Sequence, residues 1–190
     1  MRVFGAWQVM DKLQEAKDLA RKWIHDGGEG CSAADVEGMH SEQMVVMLDE
    51  VLTVAKKLEG GVLAKMEECY ALSEKKNSVR ARAASLAVAA RRAAAAEPWA
   101  ERVVVGACAQ EIRMRWQMLC VASGWEDIYP KVVEFLEAQG RMKFVRPLYR
   151  NLYRTGGAGK ELALATFAKN KAKYHNIAAK MIARDLELAS

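Results

Sequence analysis

Proline is scarce in this chain: three in 190 residues, with thirteen glycines and few runs of β-branched side chains. That scarcity excludes a strand-and-turn architecture, and the abundant alanine, leucine and methionine favour helix almost everywhere. No Cys-x-x-Cys pair joins Cys31, Cys69, Cys108 and Cys120, and no histidine stands at zinc-ligand spacing from them. The four cysteines read as buried thiols in a reducing compartment. No run approaches the roughly 18 apolar residues of a membrane helix. The opening MRVFGAW lacks a charged segment followed by an apolar one. A cytoplasmic protein is the expectation.

Catalytic signatures are absent as well. His25, His40 and His175 form no HExxH pair, so the helix that would hold zinc and a general base is not in this sequence. There is no Gly-x-Ser-x-Gly elbow, and the cysteines lie in apolar helical contexts that do not suit a nucleophile. GGAGK at 156–160 has the look of a phosphate loop, but Arg154 occupies the first glycine position and Glu161 follows Lys160. It reads as a helix-to-helix turn. The acids Glu67, Glu68 and Glu74 sit among Lys65, Lys75 and Lys76, as on a solvated face.

What is present is a core-forming composition, 52% hydrophobic and 28% charged, in a chain long enough for one or two domains; its helix-favouring residues make it all-α, and the expectation is a single domain over 1–190. The net charge of +5 is unevenly placed. Residues 74–102 hold seven cations against three carboxylates, leaving the remainder close to neutral, so a nucleic-acid-binding protein is not expected. Helical spacing places helices at about 11–24, from Ser41 to about Ala55, at 62–72, 111–123, 126–139, 147–153, 160–169 and about 176–186. Ser32 and Asp35 have capping-box spacing, and Ser41 could cap the helix that it opens. Trp23, Trp116 and Trp125 suit core packing or a helix junction. The Ala/Arg-rich stretch 73–109 reads as a surface helical insertion interrupted at Pro98. Short connections imply antiparallel neighbours, which stack as a solenoid or pack as an irregular bundle; the pattern leaves both open.

One stretch, QGRMKFVRPLYRNLYR at 139–154, carries cations in an unusual setting. Gly140 suits a left-handed position after one helix and Pro147 suits the first turn of the next, so Arg141 and Lys143 would be held in a constrained turn. Beyond it, Leu148, Tyr149, Leu152 and Tyr153 form an apolar face, while Arg146, Arg150 and Arg154 recur every four residues on another.

The segments EIRMRWQMLC (111–120), GWEDIYP (124–130) and EAQGRMKFVRPLY (137–149) resemble the C-terminal helical domain of the leukotriene A4 hydrolase and aminopeptidase B-like zinc aminopeptidases, peptidase family M1. The likeness continues through ARKWI, SAADVEGMHSEQM, KMEECY and the C-terminal KNKAKYHNIAAKMIARDL, covering most of 16–190. It fails over 73–109, where that family has a short connection, and residues 1–10 have no counterpart and suit a linker remnant. The resemblance implies an α-α superhelix, armadillo- or HEAT-like, packed beside a zinc catalytic domain. It also implies that Arg141 and Lys143 bind the free carboxylate of a peptide substrate, with Arg146 a weaker candidate. The HExxH and GxMEN motifs are absent, so no cofactor is expected in this chain, zinc is expected in the parent, and the domain alone should be inactive. A stand-alone helical scaffold that binds a partner protein is the alternative.

Overall fold

The computed structural model describes residues 4–74 and 98–188, with side chains at 11–74 and 109–188. Eight α-helices occur among the described residues: α1 Phe4–His25, α2 Ser41–Val54, α3 Gly60–Tyr70, α4 Pro98–Ala122, α5 Tyr129–Ala138, α6 Met142–Thr155, α7 Gly157–Asn170 and α8 Asn176–Asp185. Short 3-10 turns at Ala33–Val36, Leu72–Glu74, Glu126–Ile128 and Lys171–Lys173 join them. Most of the Ala/Arg-rich stretch 73–109 lies outside the described residues. Its ends are the turn at Leu72–Glu74 and the beginning of α4, where Pro98 opens a helix that continues unbroken to Ala122. A proline at a helix start loses no internal bond, which suits Pro98 to this first position. Residues 4–10, read as part of a linker, lie within α1.

Cross-helix contacts give the helix directions. Gln43 Nε2 donates to the Lys12 carbonyl at 3.0 Å and Arg21 lies 3.9 Å from Glu50, so α1 and α2 run the same way. Asp49 with Arg115 (2.6 Å) and the Leu58 amide with Ser123 Oγ (3.0 Å) align α2 with α4. Lys143 with Glu111, and Asn151 Nδ2 with the Met118 carbonyl (2.7 Å), align α4 with α6. These four helices form one parallel layer. In a second layer α5 is antiparallel to α4, through Gln117 to the Lys131 carbonyl (3.2 Å) and Arg113 over Phe135. There α7 is antiparallel to α6, with Gly159 under Leu152 and Tyr149 against Phe167. This alternation is an α-α superhelix. Antiparallel neighbours, expected throughout, occur at α4/α5 and α6/α7 but not at α1/α2. The long connection 26–40 carries the chain back beside α1 before α2 begins.

Between the layers lies a continuous apolar core containing Trp23, Trp116, Phe135, Phe144, Leu148 and Tyr149, all buried. Several of its polar atoms find partners: Trp23 Nε1 donates to Tyr70 Oη (3.0 Å), Trp116 Nε1 to Ser73 Oγ (3.1 Å), and Tyr174 Oη to the Leu136 carbonyl (2.8 Å), whereas the buried Gln117 Oε1 and Arg113 Nε have none among the described residues. Trp125, half-buried, meets Trp116 edge to face. Cys120 is buried, and burial pushes its thiol far up from the ordinary range; Cys31 and Cys69 are half-buried and free. Close packing at α6/α7 demands glycine at 159, where an added Cβ would stand 3.0 Å from the Leu152 carbonyl oxygen.

Candidate functional site: the first turn of α6

The expected turn between Gly140 and Pro147 is instead helix. α6 starts at Met142, places Pro147 in its interior, and has Arg141 as N-cap with φ −78° and ψ 119°. Gly140 does not take the left-handed conformation; that role falls to Gly124 and Gly156 among others. An interior proline costs about 3 kcal/mol. Burying Phe144 and Val145 on the core face returns about 1.5–3 kcal/mol each, enough to begin the helix five residues earlier than the proline suggests. A similar shift occurs at α2, where His40 rather than Ser41 is the N-cap and its amide donates to Gln43 Oε1 at 2.9 Å. The Ser32–Asp35 box forms as expected, with Ser32 N donating to Asp35 Oδ2 at 2.6 Å.

As an N-cap, Arg141 breaks the ordinary rule. Helix starts favour Ser, Thr, Asp or Asn, whose oxygens accept from the free amides, and acids that offset the positive end of the dipole. Here the cap is a cation that accepts nothing, Lys143 adds a second, and no acid lies in the first turn. The result is a concentration of positive charge with unused N–H donors, a ready receptor for an anion. Arg141, Met142 and Lys143 are all exposed. Both cations lean on the buried Phe144 ring, Arg141 Cζ 5.9 Å and Lys143 Nζ 5.6 Å from its centroid. Phe144 is itself fixed edge to face against Phe135. Among the described residues, the Arg141 guanidinium has no carboxylate partner.

Lys143 is engaged from below. Its ammonium pairs with Glu111 Oε1 on α4, and Glu111 Oε2 receives Arg115 Nη1. Arg115 in turn donates through Nε to Asp49 Oδ1 on α2 at 2.6 Å. Burial works against the Glu111 charge, but the hydrogen bonds from Lys143 and Arg115 outweigh it and hold the carboxyl below its usual range. Arg115 is shifted upward, since its two carboxylate partners outweigh its burial. Glu111 and Arg115 lie four residues apart in sequence, a visible helical pair. Their link to Lys143 and Asp49 depends on three parallel helices and has no local signal.

Arg146, the weaker candidate, points elsewhere. Its guanidinium grips Asp185 bidentately, Nε to Oδ2 at 2.6 Å and Nη2 to Oδ1 at 3.1 Å, and Arg150 stands 3.7 Å from the same carboxylate. The Arg146 hydrogen bond holds Asp185 below the ordinary aspartate range against the opposing effect of burial. The pair ties α6 to the end of α8. Among the described residues no cluster of three or more His, Cys, Asp or Glu could hold a metal, so the zinc that the resemblance implies has no fitting ligand set here. No helix among them is long and apolar enough to cross a membrane.

Fold and site together define a helical-repeat domain carrying a cationic helix terminus. Residues 106–186 match the family described as leukotriene A4 hydrolase, C-terminal. The chain is 32% identical over 176 residues to leukotriene A-4 hydrolase of Xenopus laevis, covering 90% of this chain and 23% of that protein. It is 28% identical over 171 residues to leucine aminopeptidase 2 of Aspergillus oryzae, covering 89% and 22%. The structure of native leukotriene A4 hydrolase from Saccharomyces cerevisiae superposes with a TM-score of 0.67 at 21% identity, covering 95% of this chain and 26% of that one. The chain therefore belongs to the C-terminal domains of the leukotriene A4 hydrolase type in the M1 aminopeptidase family. It spans about a quarter of the length of these relatives.

Proposed function

We propose that this domain is part of a cytoplasmic zinc aminopeptidase, in which it packs against the zinc catalytic domain, lines one side of the substrate cleft and anchors the free C-terminal carboxylate of the peptide. The observation that carries this reading is the first turn of α6, where an exposed Arg141, without a carboxylate partner among the described residues, stands beside Lys143 at an uncapped helix start. A guanidinium offers two parallel N–H donors that match a carboxylate, and a neighbouring ammonium with the helix end adds positive potential. Arg141 is the primary contact and Lys143 the supporting charge. Arg146 is occupied by Asp185 and serves by holding α6 in place. Zinc, when bound by the catalytic domain, would supply the activated water. The residues of this chain bind and orient the far end of the peptide, and the chain alone should not hydrolyse it.

The test is Arg141→Ala in the full-length enzyme. Losing a charge-assisted bidentate contact worth about 1.5–3 kcal/mol should lower kcat/KM on free-carboxylate peptides about ten- to hundredfold. C-terminally amidated peptides should change little, and Arg141→Lys should recover only part of the loss because it lacks the planar fork. Equal losses on acid and amide substrates would remove the assignment.

A further inference from the structure

We propose that Glu111 is a positioning residue for this carboxylate clamp and the group that restricts it to singly charged peptide termini; the inference rests on the clamp reading above. Lys143 is 62% exposed, and a free lysine side chain there would sample many rotamers. Glu111 pins it. The Glu111 side chain is only 17% exposed and both its oxygens are used, one by Lys143 and the other by Arg115, which Asp49 secures from α2. The carboxylate is therefore a strut between three helices rather than a mobile surface acid.

Charge along this chain of contacts alternates: Asp49 negative, Arg115 positive, Glu111 negative, Lys143 positive. Arg141 follows as a second cation in sequence with no carboxylate partner among the described residues. Within this chain of contacts one positive charge is left over, with Arg113 standing outside it over the Phe135 ring. A single terminal carboxylate neutralises that charge, whereas the second carboxylate of a peptide ending in aspartate or glutamate would add a negative charge on the side of Glu111, whose two cations are already engaged by its own oxygens. Specificity commonly rests on such a built-in repulsive group as much as on the attractive one. Glu111 remains ionised at neutral pH for this role, because the two cations hold its carboxyl below the usual range despite burial.

The experiment compares kcat/KM for two free-acid tripeptides, Ala-Ala-Ala and Ala-Ala-Asp, in the full-length enzyme and its variants. Glu111→Gln keeps the shape and removes the charge. It should shift the ratio toward the acidic peptide about fivefold, the size expected of one unit charge a few ångströms away in a hydrated site. The change should lie in KM and leave kcat nearly constant, and Glu111→Asp should restore the wild-type order. Asp49→Asn, farther along the chain and 49% exposed, should move the ratio the same way by about twofold. It carries the test if Glu111→Gln does not fold. A folded Glu111→Gln enzyme with the wild-type ratio, or an unchanged ratio in Asp49→Asn when the first variant is unusable, overturns the assignment. Arg141→Ala in the same series separates the two readings. A loss confined to free-acid peptides, with no response to Glu111→Gln, leaves the clamp and removes Glu111 from it. Equal losses on acids and amides remove both.

Discussion

Arg141 and Arg146 are five residues apart on the same helix, yet their environments are opposite. Arg141 caps α6 in the open and lies over an aromatic ring with no carboxylate partner among the described residues; Arg146, half-buried, closes a two-point grip on Asp185. The first turn violates the local rules of helix ends, while the body of the helix obeys the rules of packing. Local inconsistency of that kind is where function is expected, because a sequence optimised only for folding would place an acid or hydroxyl at the cap. The two regions should therefore respond differently to mutation: changes at the first turn should alter ligand recognition, and changes in the body should alter stability.

The largest effect tests the body. Leu148→Ala removes a fully buried side chain from the middle of α6, and should cost about 2–5 kcal/mol in denaturant unfolding. Arg141→Ala in the same assay should leave the transition where it is. A comparable loss for Arg141→Ala would erase the contrast.

Of intermediate size is Tyr174→Phe. The Tyr174 hydroxyl donates to the Leu136 carbonyl at 2.8 Å and lies 3.0 Å from Tyr149 Oη, all within the core behind α6. Its removal leaves a buried carbonyl without that donor and should cost about 1–3 kcal/mol, measured by thermal or denaturant melts. Substrate discrimination between free acid and amide should not change, since the mutation does not touch the first turn.

The smallest effect is acid lability of the Arg146–Asp185 tether. The folded-state pKa of Asp185 lies below its unfolded value, so the unfolded chain binds the proton more readily. The tether's stabilisation is complete above the unfolded value of about 4 and is lost as pH falls through the lower folded value. Asp185→Asn should flatten the melting temperature's dependence on pH in that acid range and lower the melting temperature at neutral pH. An unchanged acid limb in the variant would show that the pair contributes nothing.

Much of the architecture was legible along the chain. Scarce proline and helical spacing of apolar residues predict the helices, and the Ser32–Asp35 box and the left-handed Gly124 sit where turn chemistry places them. Helix starts were less legible. Pro147 and Ser41 each carry a local preference for opening a helix, but tertiary burial of Phe144 and Val145 in one case, and a His40–Gln43 cap in the other, moved the boundaries. Arg141 and Lys143 stood out because Gly and Pro flank them, although the reason proved to be a helix N-terminus and not a constrained turn.

By itself the sequence determined that the described residues are mostly helical, that Trp23 and Trp116 supply core, and that three cations, Arg141, Lys143 and Arg146, crowd the segment 140–147. Those properties depend on propensity and spacing, which act over a few residues. Only the tertiary structure decided that α2, α4 and α6 run parallel, and hence that Asp49, Arg115, Glu111 and Lys143 meet in one chain of ion pairs while Arg146 is drawn to Asp185. Contacts between residues 30 to 70 positions apart follow from how layers stack to bury the core. Charge that looks equivalent along the chain is thereby divided into a part that holds the fold and a part left facing outward.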